Sequence, residues 1–386
     1  MTGSLPVPKP PGPSARPIRV LIVEDSPLIK TILTTMLDDL PDVQVVGQAS
    51  DGQEAIRMTM RLRPDVITMD IRMPGIDGLE ATRQIMTIHP TPIVVVSSVY
   101  ATDYNSAFDA IRAGALTVIE KPRGLGTQDY ETVRTQLISS VRALSGVKLV
   151  ARHGIVPRAD GIGPMTAILH AYFARSVQII AIAASTGGPA VLMHIFSNLP
   201  GDFCLPIVVV QHILPAFSQG LVDWLGRNSK LKVQIANEGD MLIPGRILIA
   251  PSGTHLTTTT GRTIHLDYSE PIHGQRPSAT PMFTTVAKVY GPNAVGIILT
   301  GMGEDGVDGL EILGKAGAHI IAQDETDSVI FGMPKVAIDR GIVDEILSQD
   351  QIIARLTKLH RHIHSQLGSK EIKPKRIVSS DQARDK

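Results

Sequence analysis

Apolar residues along this chain fall into two alternating patterns. Short continuous runs, such as 20–23 and 93–96, show no polar alternation. Such runs suit strands buried on both faces of a parallel sheet. Between them lie stretches like Leu28, Ile29, Ile32, Leu33, Met36, Leu37 and Leu40, spaced as one face of a helix. Strands are predicted at 19–23, 43–46, 65–69, 93–96 and 116–119. Helices are predicted from Ser26-Pro27 and at 53–62, 79–88, 107–113 and 129–144. Five βα units in a row imply a doubly wound parallel sheet with helices on both faces.

A second α/β alternation starts near Val177. Its strands are predicted at 179–183, 207–210, 233–236, 247–250, 295–299 and 320–322, and its helices near 190–197, 218–225, 281–290 and 309–316. The threonine-rich segment 254–268, with Gly261 at its middle, reads as a β-hairpin. The chain therefore divides into a flexible leader (1–17), a first α/β domain (18–144), a linker (145–176) with a short helix near 165–174, a second α/β domain (177–365) and a polar tail (366–386).

Composition narrows the class. A length of 386 residues accommodates two domains with sizeable cores. The single cysteine, Cys204, rules out a disulfide within the chain. Thirty-seven basic residues balance thirty-seven acidic ones, so no basic footprint for nucleic acid is present. No apolar run reaches membrane-spanning length, and the leader lacks the apolar core of a signal peptide. A cytoplasmic protein without membrane insertion is expected.

Chemistry concentrates where strands end. In the first half the strand ends supply Glu24-Asp25, Asp70, Ser97-Ser98 and Lys121-Pro122. Clustered carboxylates repel and persist best around a cation, and oxygen-only ligands suit Mg²⁺. Beside such a cation Asp70 can take a phosphoryl group, its oxygens held by Lys121 and a hydroxyl. In the second half the run 179–184 stops at Ser185-Thr186-Gly187-Gly188-Pro189. That turn presents a hydroxyl and free backbone N–H groups at a strand end, as a serine nucleophile requires. His212 and Asp305 follow two other strands, in the order Ser, His, Asp. Geometry and not chain order defines a triad. On spacing alone Glu304 and Asp308 compete with Asp305, and a strand-end histidine can equally be structural. Cys204 precedes a strand and is read as structural. The i,i+4 pair His360/His364 has no carboxylate or cysteine near it in sequence, so it is read as a solvated helix face.

Residues 18–144 resemble the receiver domain of two-component response regulators, through Val-Glu-Asp-Ser-Pro, Met-Asp-Ile-Arg-Met-Pro-Gly-Ile-Asp-Gly-Leu and Glu-Lys-Pro. The resemblance implies a flavodoxin-like fold with Asp70 as phospho-acceptor and a histidine kinase as phosphodonor. It also implies Mg²⁺ on Asp25, Asp70 and the Arg72 carbonyl, with Glu24 acting through water, and a phosphate switch of Ser97 and Lys121. The aromatic residue that many receivers carry three places before the lysine is Val118 here. That departure points coupling toward an interdomain surface. Residues 177–365 resemble the catalytic domain of chemotaxis-type protein-glutamate methylesterases, through Ala-Ser-Thr-Gly-Gly-Pro, Gln-His-Ile-Leu-Pro-Ala-Phe, Ile-Ala-Pro-Ser-Gly-Thr-His, Arg-Pro-Ser, Ile-Leu-Thr-Gly-Met-Gly-Glu-Asp-Gly and Phe-Gly-Met-Pro. That likeness implies a Rossmann-like α/β domain and no cofactor for the esterase. It makes Ser185 the nucleophile, His212 the base and Asp305 the orienting acid, with Thr186 and the Met302 amide supporting the oxyanion. The substrate would be methylated glutamates on chemoreceptor helices, with deamidation of receptor glutamines a second activity of some relatives. The contrasting expectation is a non-enzymatic, phospho-regulated adaptor that only binds receptor helices. Arg276, in Arg-Pro-Ser, would meet substrate, line the interface or form a surface ion pair.

Overall fold

The computed structural model describes residues 16–98, 101–122, 124, 128–147, 149 and 177–368. The leader to residue 15, the linker at 150–176 with its expected helix, and the tail from 369 lie outside the described residues.

The first sheet is built from β1 (Ile18–Val23), β2 (Val43–Ala49), β3 (Val66–Asp70), β4 (Ile93–Ser97) and β5 (Thr117–Glu120), in the order β2-β1-β3-β4-β5. Every pairing is parallel. Its helices are α1 (Pro27–Asp38), α2 (Gly52–Leu62), α3 (Gly78–Ile88), α4 (Ala101–Arg112) and α5 (Gln128–Leu144). The Ser26 hydroxyl caps α1, and Pro27 fits its first turn, where an N–H would lack a partner anyway. Asp51 and Asp77 cap α2 and α3 in the same way. Helix α4 starts six residues before the expected 107–113, because its polar first turns carry no apolar period.

The second sheet has seven strands. They are β6 (Ile179–Ala184), β7 (Ile207–Gln211), β8 (Lys232–Ile235), β9 (Arg246–Ile249), β12 (Ala294–Ile298), β13 (His319–Gln323) and β14 (Glu345–Leu347). Their order is β14-β13-β12-β6-β7-β9-β8, all parallel. The hairpin is β10 (His255–Thr258) with β11 (Ile264–Asp267). Helices α6 (Gly188–Asn198), α7 (Pro215–Asn228) and α11 (Gln349–Gly368) cover one face of the sheet. Helices α8 (Ala279–Tyr290), α9 (Val307–Lys315) and α10 (Met333–Asp339) cover the other. Helix α11 takes in residues 366–368, which the sequence had assigned to the tail. Strand alternation splits the core accordingly. Ile180, Ile182, Ile207 and Val209 face α6 and α7, whereas Ala181, Ala183, Val208 and Val210 face α8 and α9.

The two sheets share packing. The face of the first sheet under α2, α3 and α4 runs into the α6–α7 face of the second as one apolar cluster. At the junction Phe108 of α4 stacks on Trp224 of α7, with ring centroids 5.5 Å apart and both rings buried. The other face of the first domain packs against Val329 and Ile330, from the loop after β13.

Candidate functional site

Both sheets place their polar strand ends where the strand order reverses. In open α/β sheets that is where ligands bind. In the first sheet the reversal lies between β1 and β3. Glu24 and Asp25 follow β1, and Asp70 ends β3. Lys121, after β5, sets its ammonium 3.0 Å from a Glu24 carboxylate oxygen and 2.8 Å from Asp70 Oδ2. Glu24 and Asp70 are buried and Asp25 is exposed at the mouth. Burial, helped by the Asp70 charge, pushes the Glu24 carboxyl up to about 7 despite Lys121. Burial likewise raises Asp70 against the pull of Lys121. One oxygen from each of Glu24, Asp25 and Asp70 lies within 4.8 Å of the others. An all-oxygen, trianionic set in which burial drives Glu24 and Asp70 toward protonation fits a hard divalent cation such as Mg²⁺. The Arg72 N–H donates to Asp70 Oδ1 (3.3 Å), which orients this turn. Ser97 is buried at the end of β4, one strand from Asp70.

In the second sheet the reversal lies between β6 and β12. Ser185 follows β6, and Thr300-Gly301-Met302 follow β12. The Ser185 N–H donates to the Thr300 carbonyl (3.0 Å), extending the ladder by one bond. A Cβ on Gly301 would lie 2.7 Å from the Ser185 Cβ, so the Met302 turn packs directly on the nucleophile candidate. Gly187 has φ +82°, the conformation a sharp turn from strand to helix needs, and Pro189 sits in the first turn of α6 as expected. The Thr300 hydroxyl donates to the Thr186 carbonyl (3.0 Å), pinning the far side of the turn.

His212 follows β7, and its Nε2 lies 2.8 Å from Asp305 Oδ2. Asp305 is buried and accepts two further bonds, from the Ser278 hydroxyl and from the Ala279 N–H (2.8 Å). Burial opposes its charge. The donors, His212 foremost, outweigh that opposition and hold its carboxyl below the ordinary carboxylate range. With Nε2–H given to Asp305, Nδ1 is the ring nitrogen left to accept a proton. Among the described residues no hydrogen bond joins the Ser185 hydroxyl to His212. The spacing rivals separate clearly: Glu304 and Asp308 are exposed and pair with Arg340.

Sequence reasoning missed the support behind Asp305. His255 is buried in β10; its Nδ1 accepts the Ser278 N–H (3.0 Å) and its Nε2 lies 3.1 Å from the Glu270 carbonyl. The motifs Pro-Ser-Gly-Thr-His and Arg-Pro-Ser held both residues, but nothing local linked them. Arg276 is exposed and donates to the Ser269 carbonyl (3.2 Å), bracing the exit of the hairpin.

The His360/His364 face also needs correction. Asp202 lies 3.6 Å from His360 Nε2 and 3.7 Å from His364 Nε2, and the Cys204 N–H donates to His360 Nδ1 (3.3 Å). His360 is buried and not solvated. Because its Nδ1 accepts, its Nε2 carries the proton and is not free for a metal.

Two family models match the chain: response regulator receiver domain over residues 20–127, and CheB methylesterase over residues 180–356. A protein-glutamate methylesterase/protein-glutamine glutaminase of Myxococcus xanthus is 41% identical over 345 residues, 89% of this chain and 98% of that one. A protein of the same description from Nitrosospira multiformis is 43% identical over 346 residues, 89% of this chain and 97% of that one. The solved CheB methylesterase catalytic domain of Thermotoga maritima aligns with a TM-score of 0.46 and 38% identity, covering 48% of this chain and 99% of its own.

Proposed function

This chain belongs to the CheB methylesterase family, with a response regulator receiver domain in front, and on that premise we propose that it hydrolyses glutamate methyl esters on chemoreceptor helices under phosphorylation control. The observation that supports this is that Ser185, His212 and Asp305 follow the adjacent strands β6, β7 and β12 on one sheet edge, with His212 bonded to a buried carboxylate. The Ser185 hydroxyl attacks the γ-carbonyl of the ester while His212 takes its proton. The oxyanion rests on backbone N–H groups near Thr186 and Met302; one such donor is worth roughly 100–1000-fold in rate. His212 returns the proton to the leaving oxygen, and methanol departs. Water then attacks the acyl-enzyme, giving a proton to His212, which passes it back to Ser185. A glutamate carboxylate remains. The same steps on a glutamine amide release ammonia, the second activity in the relatives' names.

The receiver supplies control. Asp70 is the phospho-acceptor, with a histidine kinase as donor. Glu24, Asp25, Asp70 and the Arg72 carbonyl would hold Mg²⁺, which neutralises phosphoryl charge when bound. Lys121 and Ser97 hold the phosphoryl oxygens. No nucleic acid is engaged and no membrane inserted; among the described residues no helix is long and apolar enough to cross a membrane. The cytoplasm, where receptor helices and kinase meet, is the proposed place of action.

Helix α4 packs on α6 and α7, which begin three residues after Ser185 and His212. The Ile330 carbonyl, in the loop packed on the receiver, accepts the Gly301 N–H (3.0 Å) beside the nucleophile. Phosphorylation that favours a separated arrangement of the domains would thereby free the site. Acetyl phosphate is expected to raise methanol release from a methylated receptor fragment, and Asp70→Asn to remove that response. An Asp70→Asn protein that responds as wild type does would sink the control scheme. Phe108→Ala should weaken the stacked junction and raise the basal rate several-fold without phosphodonor. Trp224 is the chain's single tryptophan, so its emission reports the same opening.

A further inference from the structure

Gln211 is the last residue of β7 and is 2% exposed. It shares the sheet face of Ile207 and Val209, beneath α6 and α7. Its Nε2 donates to the Ser185 carbonyl (2.8 Å) and to the His212 carbonyl (2.9 Å). Both amide hydrogens are thus used on the two residues proposed as nucleophile and base. The orientation is forced, since a flipped amide would set its oxygen against two carbonyl oxygens. Its Oε1 is buried with no hydrogen-bond partner. A buried unpaired acceptor is destabilising, a cost that an apolar residue of the same length would avoid. A Cβ on Gly188 would lie 2.1 Å from Oε1, so the first turn of α6 closes over the amide and leaves it no room to swing.

The sheet does not do this work itself. Register between β6 and β7 ends at Ala184–Gln211, followed by one bond from the His212 N–H to the Ala184 carbonyl (3.0 Å). Beyond that point the chains diverge toward α6 and α7. We propose that Gln211 is a positioning residue: its side-chain amide is a strut between the Ser185 and His212 carbonyls and sets the spacing of nucleophile and base. This rests on Ser185 and His212 holding those roles.

The test uses the full-length chain with Gln211→Met and Gln211→Glu. Methanol release gives kcat and KM. Covalent labelling of Ser185 by a fluorophosphonate gives nucleophile reactivity per folded molecule, with folding checked by circular dichroism. Gln211→Met is expected to lose about 10–100-fold in kcat and in labelling rate. KM should stay within about twofold, and the phosphodonor response should be retained. Gln211→Glu sets a carboxylate against two carbonyls, so its rate relative to wild type should rise as pH falls and the carboxyl regains a donor hydrogen. Wild-type kcat and labelling per folded molecule in Gln211→Met would overturn the strut. If Gln211→Met does not fold, Gly188→Ala displaces the amide without removing it and must show the same selective loss in kcat; an unchanged kcat there overturns the strut as well. A Ser185→Ala arm separates the two levels. Should it keep releasing methanol, the nucleophile assignment falls. Should it be inert beside a wild-type-like Gln211→Met, only the strut falls.

Discussion

Ser185→Ala is expected to release methanol on the order of 10⁵-fold more slowly than wild type, with receptor binding little changed. The loss should be similar for His212→Ala, and the double variant should be no worse than either single one. Nucleophile and base act as one unit, so removing the second costs little once the first is gone. The geometry behind this is the end of β6, where Ser185 is held between the Thr300 carbonyl and the turn into α6. Timed methanol release from a methylated receptor fragment measures the effect. Full activity in Ser185→Ala would mean that the hydroxyl is not the nucleophile. Binding of methylated helices with no methanol release by the wild type would return the chain to the class of docking adaptors.

Asp305→Asn is expected to lower kcat about 10⁴-fold while leaving the fold intact. The amide is nearly isosteric, and because Oδ2 serves both His212 and the Ala279 N–H, its NH₂ faces the Ser278 hydroxyl. What is lost is the negative charge that stabilises the protonated imidazole as Ser185 gives up its proton. The pH behaviour follows from the three donors around Asp305. Its carboxyl is held below the ordinary value of 3.8 in the fold. A depressed carboxylate stabilises the fold above its unfolded value, and that contribution is lost as pH falls through the folded one. Wild type should therefore lose stability from this group only below about pH 4, and Asp305→Asn should show a flatter acid limb. Thermal melts from pH 3 to 7 measure this. An acid limb as steep in the variant as in wild type would remove Asp305 from the account of acid stability.

The alternation of elements was legible because apolar period is a local property. Strand β6 and helix α8 are found within a few residues of their expected places. Two elements were missed because they leave no room for a period. Strand β14 is three residues long at the sheet edge, with Ile346 exposed. Helix α10 spans only seven residues after Gly332, with Pro334 in its own first turn. The candidate site was partly legible for a related reason. Polar residues directly after apolar strands must emerge at one edge of a parallel sheet, which marks Glu24, Asp25, Asp70, Ser185 and His212 without knowledge of the strand order.

The sequence by itself determined two parallel α/β units, the polar groups at their strand ends, and the turn at Ser185 that no large side chain could make. Tertiary structure decided which of those groups meet. Glu304, Asp305 and Asp308 are equivalent on spacing, yet only Asp305 turns inward to His212, Ser278 and Ala279, while the other two pair with Arg340 at the surface. The same holds for Asp202 beside His360 and His364, and for the amide of Gln211 between two carbonyls. Apart from the bond between Gln211 and its neighbour His212, each of these contacts joins segments far apart in the chain. Strand order and helix packing bring them together, and a short window of sequence carries no record of either.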